Sequence, residues 1–143
     1  MAETGEACEN RDMTVAEAKP LLRGALHQGA FMVALVVGSL FVAYADGGRR
    51  RVAASVFAGS VVAMLGASAL YHRITWSPRA RPWMRRIDHA GIYVLIAGSY
   101  TPVGLLSLHG TLQRVTLAIV WAGAAVAIVL KFVIARITRS GPL

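Results

Sequence analysis

The chain has 143 residues, of which 56% are hydrophobic and only 15% charged, and its mean hydropathy is +0.56. Soluble domains carry about 25% charged residues, so the composition excludes an ordinary soluble enzyme, and with one cysteine, Cys8, it also excludes a disulfide-rich secreted domain. Lys and Arg outnumber Asp and Glu by 15 to 7. The arginines flank apolar runs and no basic helix lies free of them, so the excess points to a membrane protein and not to nucleic-acid binding.

Residues 1–23 are polar and acidic, with Glu3, Glu6, Glu9, Asp12 and Glu17. That is the wrong charge for the start of a signal peptide, so a retained cytosolic tail is expected. A transmembrane region over 24–136 follows. Its apolar runs cover about 25–45, 52–71, 87–108 and 115–134, each long enough to cross roughly 30 Å of hydrocarbon as an α-helix. The expected connections are Asp46-Gly47-Gly48, an Arg/Pro-rich loop from Arg73 to Arg86, and a short turn from Ser107 to Arg114. Residues 137–143 are expected to be a cytosolic end. The fold class is therefore an all-α membrane protein with four spans in this chain.

With the N-terminus inside, eleven basic residues fall on the cytosolic side and four (Arg49, Arg50, Arg51 and Arg114) on the other. The bias predicts a multi-pass protein of the cell membrane with N-in, C-in orientation. Lys131, near the end of the fourth span, is placed to snorkel. Small residues (Gly59, Ala63 and Gly66; Ala97 and Gly98; Ala122 to Ala125) mark positions where helices approach closely. Thr101-Pro102 should kink or loosen the third span, with the Ser99 and Thr101 hydroxyls available to the freed carbonyl groups.

Ionisable groups inside a membrane are costly and mark candidate sites. His27 starts the first span, Ser68 and His72 end the second, and Asp88 and His89 start the third, so all five fall on the same side. Ser68 and His72 are four residues apart and share a helical face. A neutral imidazole is a good zinc ligand, a serine one turn away can orient it, and a carboxylate on the next helix can hold a water and take its proton. Simpler roles stand beside these: Asp88 as a helix cap or a partner of Arg85 or Arg86, and His72, His27 and His89 as interfacial residues. His109 reads as a loop residue, and Tyr93 and Tyr100 as packing or interface residues. The Arg79–Trp83 segment reads as an interfacial loop, anchored by Trp76 and Trp83, that attracts anionic headgroups. Membrane lipids are the expected partners, with nucleic acid excluded.

The stretches Ser68-Ala-Leu-Tyr-His72, Arg86-Ile-Asp88-His89-Ala90-Gly91-Ile92-Tyr93 and Ile96-Ala97-Gly98-Ser99-Tyr100-Thr101-Pro102 together resemble the hemolysin III family, bacterial relatives of the progestin and adipoQ receptors. The likeness runs from about Leu22 to Arg136. It implies a seven-helix membrane fold with a cytosolic N-terminus, and a zinc site in which His72 is the metal ligand, Ser68 stands one turn earlier and Asp88 contacts the metal-bound water. It also implies a zinc-dependent amide or lipid hydrolase, with ceramide-like substrates in the eukaryotic relatives. The family's other two zinc ligands come from an HxxxH motif on its last helix, and this sequence contains none. The expectation is therefore an N-terminal, four-helix portion of such a protein, inactive in hydrolysis as it stands, with Thr138 to Leu143 leading toward a fifth span. A replacement ligand set from His27, His72, Asp88 and His89 is conceivable. The alternatives are a membrane-perturbing, pore-forming protein, as the family name suggests, or a non-catalytic scaffold.

Overall fold

The computed structural model describes residues 25–137. The expected acidic tail, 1–23, and the expected connection beyond the fourth span, 138–143, lie outside the described residues. Four helices follow one another: α1 Ala25–Ala43, α2 Gly48–Arg73, α3 Arg81–Leu106 and α4 Gly110–Ile137. All four are long and apolar enough to cross a membrane, and no strand occurs among the described residues.

The short connections turn the chain back on itself, so that α2 packs on α3 and α3 on α4. Gly47 (φ +80°) precedes α2 and Gly110 (φ +62°) opens α4. Both turns use a backbone conformation that side chains with a Cβ disfavour. Each helix from α2 on begins before its apolar run, at Gly48, Arg81 and Gly110 and not at Val52, Ile87 and Val115. Apolarity marks the hydrocarbon layer, whereas backbone hydrogen bonding continues through the interface. A helix of 26 residues is about 39 Å long, longer than a hydrocarbon core of roughly 30 Å.

One consequence is that the Arg79–Trp83 segment is not a single loop. Arg81 opens α3 and Pro82 sits in its first turn, where proline's missing N–H costs nothing and its fixed φ suits the helix. The true loop is 74–80. Trp76 folds back within it, its indole N–H donating to the Leu70 carbonyl at 3.1 Å, which the Ile74 N–H also reaches at 3.3 Å. These contacts satisfy a carbonyl that the helix end would otherwise leave open.

The interior is made of small side chains. Among the described residues, the buried apolar ones are Ala53, Ala54, Ala97 and Ala124, joined by Ser60, Ser68 and Thr101, and no large side chain is fully buried. The large apolar groups point outward, Ile119 at 65% exposure and Val36 at 62%. In water that distribution would be inverted. In lipid it is the expected one, because tails solvate leucine as well as leucine does and helices associate through close backbone approach.

Glycines show where the approach is tightest. A Cβ at Gly98 would overlap Ser60 of α2, one at Gly91 would lie 3.1 Å from the Met64 Cα, and one at Gly66 would meet the Phe31 ring of α1 at 3.0 Å. Gly59 and Gly123, from the same small-residue stretches, have open space around them. Helix α3 remains continuous across Pro102. The nearby hydroxyls do not serve Gly98, whose carbonyl proline leaves without its helical donor. Thr101 Oγ1 donates to the Ala97 carbonyl at 2.9 Å and Ser99 Oγ to that of Ile96 at 2.9 Å.

Candidate functional site

The start of α1, the end of α2, the start of α3 and the end of α4 share one end of the bundle. Ring contact between His27 and His72 ties α1 to α2 there, and a groove lined by residues of α2, α3 and α4 ties the rest. The polar residues singled out in the sequence therefore share a level. His109 is exposed at the opposite end.

Ser68 is buried, at 6% exposure, and His72 is half-buried one turn further along α2. The His27 and His72 imidazoles stack with centroids 6.2 Å apart and planes 16° from parallel. Tyr71 meets His72 edge-on at 4.9 Å. On α3, the Asp88 side chain is 17% exposed and that of His89 38%. The contact of Gly91 with Met64 sets the antiparallel register, which brings Asp88 level with Ser68.

Asp88 does not cap its helix, because α3 begins seven residues earlier at Arg81. Among the described residues its carboxylate lies 3.9 Å from His89 Nδ1, and neither Arg85 nor Arg86 comes within salt-bridge distance of it. His89 is held by a stronger bond within its own helix, Nδ1–H donating to the Arg85 carbonyl at 2.6 Å. A carbonyl only accepts, so that bond places a proton on Nδ1. Arg86 lies over the Trp83 ring, 5.1 Å from its centroid, and Trp83 in turn contacts Phe132 of α4 at 5.8 Å.

A zinc centre needs three or four protein ligands within about 2 Å of one point. Among the described residues, no three His, Cys, Asp or Glu side chains come together closely enough to hold a metal ion. The replacement set of His27, His72, Asp88 and His89 is thus not assembled: His27 and His72 pair on the α1 side of α2, and Asp88 and His89 pair on α3. The described residues alone do not fit zinc. Sequence spacing gave no signal for the His27–His72 contact, because the two are far apart in the chain. Their shared depth was the one available hint.

Comparison of the sequence with known proteins points to one family. The model of the haemolysin-III related family matches residues 15–140. The chain is 43% identical over 77 residues to a hemolysin-3 homolog of Bacillus subtilis, a segment making up 54% of this chain and 36% of that protein. It is 37% identical over 93 residues to hemolysin-3 of Bacillus cereus, covering 64% of this chain and 42% of that one. The matched segment thus spans less than half the length of either relative. No solved structure matches the chain. A match over nearly the whole sequence, on a bundle of membrane-length helices, decides the assignment: the chain is a multi-pass membrane protein and belongs to the haemolysin III family.

Proposed function

We propose that this chain is the N-terminal four-helix part of a zinc-dependent membrane hydrolase or receptor-like protein of the plasma membrane, with its polar end in the cytosol. The observation that carries the reading is the common level of Ser68, His72 and Asp88, on two helices held in register by the Gly91–Met64 contact. His72 supplies an imidazole and Ser68, one turn away, positions it. Asp88, mostly shielded, is suited to hold a water molecule and accept its proton. Zinc, when bound, would supply Lewis acidity. Its further ligands would come from outside the described residues, and without them no hydrolysis is expected.

The test is metal content and turnover of the natively expressed protein, set against the 143-residue chain. Native protein should carry zinc that His72→Ala removes, and should cleave a ceramide-like amide lipid until Asp88→Asn abolishes it. The isolated chain should do neither. The names of the Bacillus relatives favour a second reading, a membrane-perturbing protein. Dye leakage from liposomes that ignores chelator, His72→Ala and Asp88→Asn would establish that reading and overturn the hydrolase. Absence of both leakage and turnover would leave a scaffold.

A further inference from the structure

The two faces of the α2 end are used differently. His72 turns to α1, whereas Tyr71 lines a groove of about 960 Å³ bounded by the start of α3 and the end of α4. Four cations border this groove: Arg81, Arg85 and Arg86 from α3, and Lys131 from α4 across from them. The described residues contain two carboxylates. Asp46 lies in the turn at the opposite end, and Asp88 is not among the groove's lining residues, its carboxylate lying 3.9 Å from His89 Nδ1. The positive charge of the groove is therefore uncompensated by any described acid.

The remaining walls have two distinct characters. His89, with Nδ1 committed to the Arg85 carbonyl, and Tyr93 add polar atoms beside the arginines. Apart from Lys131 the α4 side of the lining is apolar, with Ala127, Leu130 and Ile134, and Leu130 and Ile134 remain 51% and 56% exposed. The groove thus opens from a basic pocket at the helix ends onto an outward-facing apolar strip. Trp83 lies beside it at 40% exposure, in the position where tryptophan anchors helices at headgroup level.

From this juxtaposition we propose that the groove is a binding site for an anionic membrane phospholipid. The phosphate sits among Arg81, Arg85, Arg86 and Lys131, and an acyl chain lies along Leu130 and Ile134. Guanidinium forks match phosphate oxygens in bidentate geometry, and Lys131 adds a point charge from the opposite wall. A free phosphate would use the cations but not the apolar strip, and that strip is the reason to assign a lipid. The inference is independent of the zinc reading, because it uses none of Ser68, His72 or Asp88.

The experiment is a native mass-spectrometry titration of the purified chain in neutral detergent with phosphatidylglycerol, phosphatidylcholine or inorganic phosphate. Phosphatidylglycerol should bind in preference to phosphatidylcholine. The double variant Arg85→Gln, Lys131→Gln should weaken it by roughly 30-fold, the effect of two basic residues at an anionic surface. The charge-conserving Arg85→Lys, Lys131→Arg should retain most of the binding, which separates loss of charge from loss of fold. Arg49→Gln with Arg50→Gln removes the same charge from exposed positions at the other end and should change affinity less than three-fold. Equal losses in the two double-glutamine variants, equal binding of the two lipids, or displacement of the lipid by inorganic phosphate would each overturn the proposal.

Discussion

Gly98 of α3 lies so close against Ser60 of α2 that a Cβ at position 98 would overlap both the Cβ and the Oγ of Ser60. Ser60 is 4% exposed and its hydroxyl donates to the Phe57 carbonyl at 2.7 Å. Rotating the serine cannot relieve the overlap, because its Cβ is fixed to the backbone. Gly98→Ala must therefore push α3 away from α2, a cost of about 1–3 kcal/mol for overpacking. Equilibrium unfolding in mixed micelles should show that loss, and Ser60→Gly in the same chain should recover most of it. Gly59→Ala, in open space, should stay within about 0.5 kcal/mol of the parent.

The contrast between these two glycines shows what the sequence could and could not disclose. Both stand in stretches of small residues, and both are candidates for close approach on pattern alone. Which one meets a neighbour depends on how each helix is rotated about its axis, and near-uniform apolarity around a membrane helix leaves that rotation unwritten. Run length and charge, by contrast, report depth directly. Four spans and a shared level for His27, Ser68, His72, Asp88 and His89 were therefore legible before any coordinates. The His27–His72 stack and the placing of Lys131 opposite Arg85 were not, since each depends on pairing across helices. The helix starts also escaped hydropathy, because Arg81 and Pro82 are polar or helix-breaking by composition yet suited to a first turn at the interface.

Helices α3 and α4 are joined by a polar contact inside an apolar bundle. Trp121 Nε1–H donates to Thr101 Oγ1 at 3.2 Å, and that hydroxyl donates in turn to the Ala97 carbonyl at 2.9 Å. Interhelical hydrogen bonds in membranes average about 0.6 kcal/mol, with a maximum of about 1.7. Trp121→Phe keeps most of the ring and removes the donor, while Thr101→Val removes the acceptor. A double-mutant cycle on unfolding should return a coupling energy of about 0.6 kcal/mol. A coupling indistinguishable from zero would mean that the two side chains do not interact in the folded bundle.

The stacked rings of His27 and His72 give the contact between α1 and α2 a direct chemical test. In a Cys8→Ser background, His27→Cys combined with His72→Cys should cross-link efficiently with a short bis-maleimide. His27→Cys combined with His109→Cys should not, because His109 belongs to the loop at the far end of the bundle. The readout is mobility after cleavage at a protease site engineered into the 44–47 turn, where a cross-link keeps the two pieces together. Equal cross-linking of both pairs would show that α1 is not held against α2 in this register.

The proposed orientation, with the polar end in the cytosol, rests on the charges and not on the packing. Arg49, Arg50 and Arg51 occupy the first turn of α2, which contains no acid, where the helix dipole already disfavours cations. They nonetheless remain the minority: the polar end, with Arg73, Arg79, Arg81, Arg85 and Arg86 around one short loop, outweighs them under the positive-inside rule. Ser77 lies in that loop and His109 in the loop at the other end, and both are exposed. In intact cells and a Cys8→Ser background, His109→Cys should react with a membrane-impermeant maleimide, whereas Ser77→Cys should react only after permeabilisation. The opposite pattern would put Ser68, His72 and Asp88, together with the basic groove, at the outer face. The lipid meeting Arg85 and Lys131 would then come from the outer leaflet, with the groove's chemistry unchanged.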